Sequence, residues 1–78
     1  MLKGNEVVKM YDYVLKTSLA AHKIITIMYQ KDTEITQRNI KVLRINDKDI
    51  EAYCYLRHSI RHFKIENILA AEGIISRL

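Results

Sequence analysis

Residues 50–68, IEAYCYLRHSIRHFKIENI, decide how this chain folds. Two runs in which apolar and polar residues alternate meet at a short polar turn, as expected for two antiparallel strands. Side chains of a strand point alternately to its two faces. The first run therefore predicts one face with Ile50, Ala52, Cys54 and Leu56, and an opposite face with Glu51, Tyr53, Tyr55 and Arg57.

The length of the turn between the two runs decides which residues of the second run face inward. If the loop is even, Cys54 and Phe63 share the inner face, as do Ala52 and Ile65, and Arg61 lies on the core side at its rim. We favour this register because it gathers the apolar side chains. An odd loop would instead bring together Tyr53, Tyr55, Arg57, Arg61 and Phe63.

An amphipathic helix precedes the strands. Apolar residues recur at three- and four-residue spacing behind Asn5, a suitable N-cap, and predict a helix at about residues 5–21. β-Branched residues then predict a first strand at about residues 23–29. Polar turns separate it from four further strands, expected at about residues 35–45, 50–57, 61–65 and 69–75. One helix and five short strands predict a mainly β protein that forms a small, strongly bent antiparallel barrel.

Length and composition favour a single domain over residues 1–78. Proline is absent and only two glycines occur, so no linker is evident. The single cysteine excludes an internal disulfide and suits the reducing cytoplasm. No apolar run approaches the ~20 residues of a membrane span, so no membrane partner is expected. A net charge of +4 is compatible with an anionic partner, and so small a core favours an oligomer such as a homodimer.

Four motifs make the chain resemble a WYL domain, the Sm-like (SH3-type) barrel of many bacterial transcription regulators. They are IITIMY at residues 24–29, TQRNIKVL at 36–43, AYCYLR at 52–57 and RHFKIENI at 61–68. The order and spacing of the last two are the most specific. The resemblance implies a standalone short form with a barrel at about residues 23–76, in which one helix replaces the usual helix–turn–helix domain. Asn67 stands where the family usually has an arginine.

Basic and aromatic residues form the candidate binding site. The resemblance implies that Arg38, Arg57 and Arg61 are basic ligand contacts, and guanidinium groups suit phosphates and nucleobases. Tyrosines that stack on a base would complete the site, and the candidates are Tyr29, Tyr53 and Tyr55. The alternative is equally open: the arginines pair with Glu34, Asp49 or Glu51, and the tyrosines serve the core or a solvated sheet face.

No pattern in the chain indicates catalysis. Ser59 beside His58 in a turn is not a nucleophile–base pair, and three histidines with one cysteine do not match a zinc site. We therefore expect no enzyme, no metal and no cofactor. The expected function is a regulatory module that binds a nucleotide or single-stranded nucleic acid and modulates a transcription-related partner protein. The alternative is a protein–protein interaction or oligomerisation module without a small ligand.

Overall fold

The computed structural model describes residues 11–73. Its elements are α1 (Tyr11–Ala21), β1 (Ile24–Lys31), β2 (Glu34–Ile45), β3 (Asp49–Cys54), β4 (Ser59–Lys64), a 3₁₀ turn (Ile65–Asn67) and β5 (Ile68–Gly73). This confirms a mainly β fold with one helix before five antiparallel strands in the described part of the chain. The helix predicted at residues 5–10 and the strand end predicted at residues 74 and 75 lie outside that part.

The five strands form one sheet in the order β4-β3-β2-β1-β5, and this sheet curls on itself. β2 and β3 lie between β1 and β4, yet Tyr29 of β1 packs edge-to-face on Phe63 of β4 with ring centroids 5.0 Å apart. The Lys64 backbone N–H donates to the Tyr29 hydroxyl at 3.0 Å. Register shifts between β1 and β5 and between β2 and β3 accompany this curvature, since bulges bend strands. The result is a small barrel-like domain.

The core lies between the inner face of the sheet and α1, which packs mainly on β2 and β5. It consists of Tyr11, Leu15, Ile25, Ile27, Tyr29, Ile40, Val42, Ile50, Ala52, Cys54, Phe63 and Ile68. α1 ends in a Schellman-type turn, because His22 adopts φ 57° and the Lys23 N–H donates to the Ser18 carbonyl at 3.2 Å. This turn directs the chain from the helix into β1. The described residues contain no helix with the length and hydropathy needed to cross a membrane.

Ser18 is a fully buried polar residue between α1 and the sheet. Its Oγ donates to the Lys23 carbonyl at 2.6 Å and accepts the Val42 N–H at 2.9 Å. β1 begins at Ile24, which lies opposite Lys41, so no β1 residue is opposite Val42. The serine hydroxyl thus replaces a missing sheet partner and joins the helix end to β2.

The hairpin of β3 and β4 confirms the even loop and corrects the predicted strand end. Phe63 lies opposite Ile50 and Arg61 opposite Ala52, so Phe63 shares the inner face with Cys54 as expected. The prediction that the third strand runs to residue 57 is wrong, because β3 ends at Cys54 and residues 55–58 form the turn. Its residues, YLRH, include no glycine, proline or asparagine, and His58 takes the positive φ of 54°.

Two residues of this hairpin lie elsewhere than predicted. Leu56 is 61% exposed in the turn rather than buried on the inner face. Ile65 opens the 3₁₀ turn rather than extending β4, and its N–H donates to the Lys48 carbonyl at 2.9 Å. Because β3 ends at Cys54, Arg57 lies in the turn and not on the strand face that carries Tyr53.

Candidate anion-binding groove

The inner face of the sheet changes from apolar to basic toward one end. On β2, Val42 and Ile40 are buried. Toward the N-terminal end of the strand, the next residues on the same face are half-buried Arg38 and Thr36. On β4, Phe63 is buried, and Arg61, the next residue on the same face toward the N-terminal end of the strand, is exposed. These strand ends border a groove of about 820 Å³, within the usual size range of small-molecule sites. The groove is thus the polar continuation of the core.

The three predicted arginines line this one groove. Arg38 comes from β2, Arg57 from the turn between β3 and β4, and Arg61 from β4. They meet because the curled sheet brings β4 toward the tip of the β1–β2 hairpin. The charged lining residues include three acidic ones, Asp32, Glu34 and Asp49, against five basic ones, Lys31, Arg38, Arg57, Arg61 and Lys64. The groove therefore carries an excess of positive charge.

Within residues 11–73, no carboxylate lies in salt-bridge range of these three arginines. Glu51 lies near Arg44 instead, with its Oε1 3.8 Å from Arg44 Nε. Asp49 and Glu51 also lie 3.9 Å from the two ring nitrogens of His62. The alternative expectation, that Arg38, Arg57 and Arg61 pair with Glu34, Asp49 or Glu51, is not what the structure shows.

Polar contacts to Thr36 on its own strand and to Cys54 on β3 hold Arg38 in place. Its Nε donates to Thr36 Oγ1 at 3.2 Å, and the Thr36 hydroxyl donates to the Tyr29 carbonyl at 3.5 Å. Its Nη1 lies 3.7 Å from Cys54 Sγ. A guanidinium has five N–H groups, so three remain after these two contacts. Those three are available to a ligand in the groove.

The Cys54 sulfur lies at the base of the arginine cluster and is buried. Burial alone would raise the pKa of the thiol. Hydrogen bonds from the Arg57 backbone, the Arg38 side chain and the Leu56 backbone, together with the Arg38 charge, outweigh it and leave the pKa of Cys54 lowered. The sulfur thus contacts Arg38, and Cys54 directly precedes the turn that carries Arg57.

The structure separates the three predicted tyrosines. Tyr29 is a core residue, 9% exposed, whose ring edge lines the groove beside Phe63. Tyr53 and Tyr55 pack against each other with ring centroids 4.9 Å apart, and they do not line the groove. Tyr53 lies opposite Lys41 and Ile60 on the outer face of the sheet. Four of the six candidate residues therefore meet in one place.

Sequence reasoning missed several contributors to the groove, among them Lys31, Lys64 and Thr36. Thr36 precedes Arg38 by two residues and so lies on the same strand face, a signal that was available in the sequence. The contact between Cys54 and Arg38 depends on the pairing of β2 with β3 and had no such signal. Asn67, at the position where the resemblance expects an arginine, also lines the groove. Among residues 11–73, no three His, Cys, Asp or Glu side chains are grouped to hold a metal ion.

Comparison with solved structures shows a shared fold. The chain is similar to proteasome accessory factor B/C (PafBC) of Arthrobacter aurescens, with a TM-score of 0.71 and 18% identity over 90% of this chain. The chain spans only 12% of the length of that protein. No family model matches the chain, and no curated protein matches its sequence. The likeness shows that this chain and part of that protein share a small, mainly β fold.

Proposed function

We propose that the groove binds a nucleotide or a short single-stranded nucleic acid and that the chain acts as a regulatory module. The observation that supports this most is the convergence of Arg38, Arg57 and Arg61 on one groove without carboxylate partners among the described residues. Guanidinium groups bind phosphate oxygens through paired N–H donors. Tyr29 and Phe63 line the same groove and would offer apolar contact to a base.

A regulatory role is supported by two separate considerations. The described residues offer a binding groove, and the resemblance to WYL domains implies a sensing role beside a partner regulator. The structural likeness is to a small part of a protein whose name describes an accessory factor. Ligand binding in the groove would then change how the module contacts a transcription-related partner.

A salt titration tests this function. The full chain is mixed with a fluorescent oligonucleotide of four thymidines, and Kd is measured by anisotropy between 50 and 200 mM NaCl. Three phosphate contacts predict a slope of log K against log salt of about −2, which weakens binding about 15-fold over this range. Absence of binding at the lowest salt concentration would contradict the proposal.

The variant Asn67→Arg tests, in the same titration, whether the ligand binds in the groove. It adds a guanidinium at a groove position, so with an oligonucleotide of five thymidines, which carries one more phosphate, we expect tighter binding and a salt slope steeper by roughly one phosphate contact, about 0.7. Gln37→Arg is the matched control, because it also adds one positive charge and Gln37 is exposed and is not among the groove residues. Equal effects of the two substitutions would place the ligand outside the groove.

The outer face of the sheet favours a second function, the binding of another protein or another copy of the chain. A row of paired residues crosses four strands there and runs through Ile24, Lys41, Tyr53 and Ile60. Ile24 is 37% exposed and Ile60 54% exposed, which leaves apolar surface in water. This surface lies apart from the groove, so the two functions are compatible. Light scattering of the free chain distinguishes a monomer from a dimer.

A further inference from the structure

We propose that Cys54 and Thr36 are positioning residues that fix the direction of the Arg38 guanidinium for ligand binding. We call the two the Arg38 bracket. This inference rests on the proposed binding function of the groove, and it assigns the affinity of the site partly to residues that contact no ligand. Thr36 holds the Nε side of the guanidinium and Cys54 the Nη1 side, so both ends of the planar group are fixed.

The bracket joins three strands of the sheet. The Thr36 hydroxyl is itself held by the Tyr29 carbonyl of β1, and Cys54 belongs to β3. Both bracket residues come from the inner sheet face, which is packed and rigid in its buried part. An arginine on an exposed strand end would otherwise lose much side-chain entropy when it orders around a ligand. A guanidinium that is already fixed avoids most of that loss.

Cys54 also connects Arg38 with a second arginine of the groove. Cys54 is the last residue of β3, and the turn of residues 55–58 that carries Arg57 follows directly. The turn that carries Arg57 therefore begins at the residue that orients Arg38. Cys54 is a free cysteine, and its side chain is fully buried. Its role is therefore to shape the groove from below, without touching the ligand.

Two measurements on the full chain test the bracket. The first is the NMR order parameter of the Arg38 Nε–H group in the ligand-free protein. We expect it to fall in Cys54→Ala and in Thr36→Val, and to stay at the wild-type value in Val42→Ala. Val42→Ala is a matched control, because it also removes buried volume from the inner face of the sheet. Thr36→Val keeps the test available if Cys54→Ala does not fold.

The second measurement is a double-mutant cycle with the oligonucleotide of four thymidines. Cys54→Ala should raise Kd about three- to ten-fold when Arg38 is present and by clearly less in the background Arg38→Gln, where Cys54 acts only through the turn that carries Arg57. A purely structural role of Cys54 would raise Kd by the same factor in both backgrounds. Equal effects in both, or an unchanged Arg38 order parameter in the bracket variants, would overturn the inference. If the wild-type chain does not bind the oligonucleotide, the proposed function fails while the order parameter still decides the bracket.

Discussion

Reversing the charges of Arg57 and Arg61 together is expected to raise Kd for a single-stranded oligonucleotide by about 100-fold or more. Both side chains are exposed and line the groove, so the variant Arg57→Glu/Arg61→Glu removes two cations and adds two anions beside the ligand phosphates. Each lost contact removes favourable charge pairing, and each new carboxylate repels the ligand. Fluorescence anisotropy at 50 mM NaCl measures the change, and circular dichroism checks that the fold persists.

A control with the same change in net charge separates the groove from the overall charge of the chain. Lys16 and Lys23 are exposed and do not line the groove, so Lys16→Glu/Lys23→Glu lowers the net charge by the same amount. We expect this variant to bind within about three-fold of wild type, because charges outside the groove are largely screened beyond the Debye length, about 14 Å at this salt concentration. A comparable loss in both variants would mean that binding is non-specific.

Replacing Ser18 by alanine is expected to lower the free energy of unfolding by about 1–3 kcal/mol. The substitution leaves the buried Val42 N–H without its acceptor and the Lys23 carbonyl without the 2.6 Å hydrogen bond from Ser18. For a domain of this size such a loss is a large part of the total stability. Urea denaturation followed by circular dichroism gives the difference.

Thr17→Ala is the neighbouring control for the serine variant. Thr17 is half-buried on the same helix, and no hydrogen bond of its side chain is found among the described residues. Its loss should change the free energy of unfolding by less than about 0.5 kcal/mol. If Ser18→Ala is no more destabilising than this control, the Ser18 hydroxyl is not the link between α1 and β2 that its hydrogen bonds indicate.

The order of the elements was predictable because their periodicities are strong. Residues 50–54 alternate cleanly, and the buried positions Ile50, Ala52 and Cys54 follow that alternation. The even loop was also predictable, since only that register places Phe63 on the same face as Cys54. The end of β3 was not, because alternation continues through residues 55–57 although the chain has already turned. A tertiary contact, the Tyr55 N–H to the Asn39 carbonyl at 3.0 Å, holds the start of that turn.

The candidate site was predictable as a set of residues but not as an arrangement. Sequence and resemblance selected Arg38, Arg57 and Arg61, and these line one groove. The same reasoning added Tyr53 and Tyr55 to the site on the strand face of Arg57, whereas in the structure neither tyrosine lines the groove. The difference arises from the early end of β3, which turns Arg57 away from the tyrosine pair. The contact of Arg38 with Cys54 needs the register of β2 against β3, which residue spacing does not contain.

Arginine side-chain NMR during a titration with the oligonucleotide of four thymidines tests whether the three guanidinium groups act as one site. The account predicts that the Nε–H signals of Arg38, Arg57 and Arg61 shift together along one binding curve with a single Kd. The signal of Arg44, which lies beside Glu51, should stay unchanged. Shifts that follow different curves, or a response at Arg44 without one at Arg38, would contradict a single anion-binding groove.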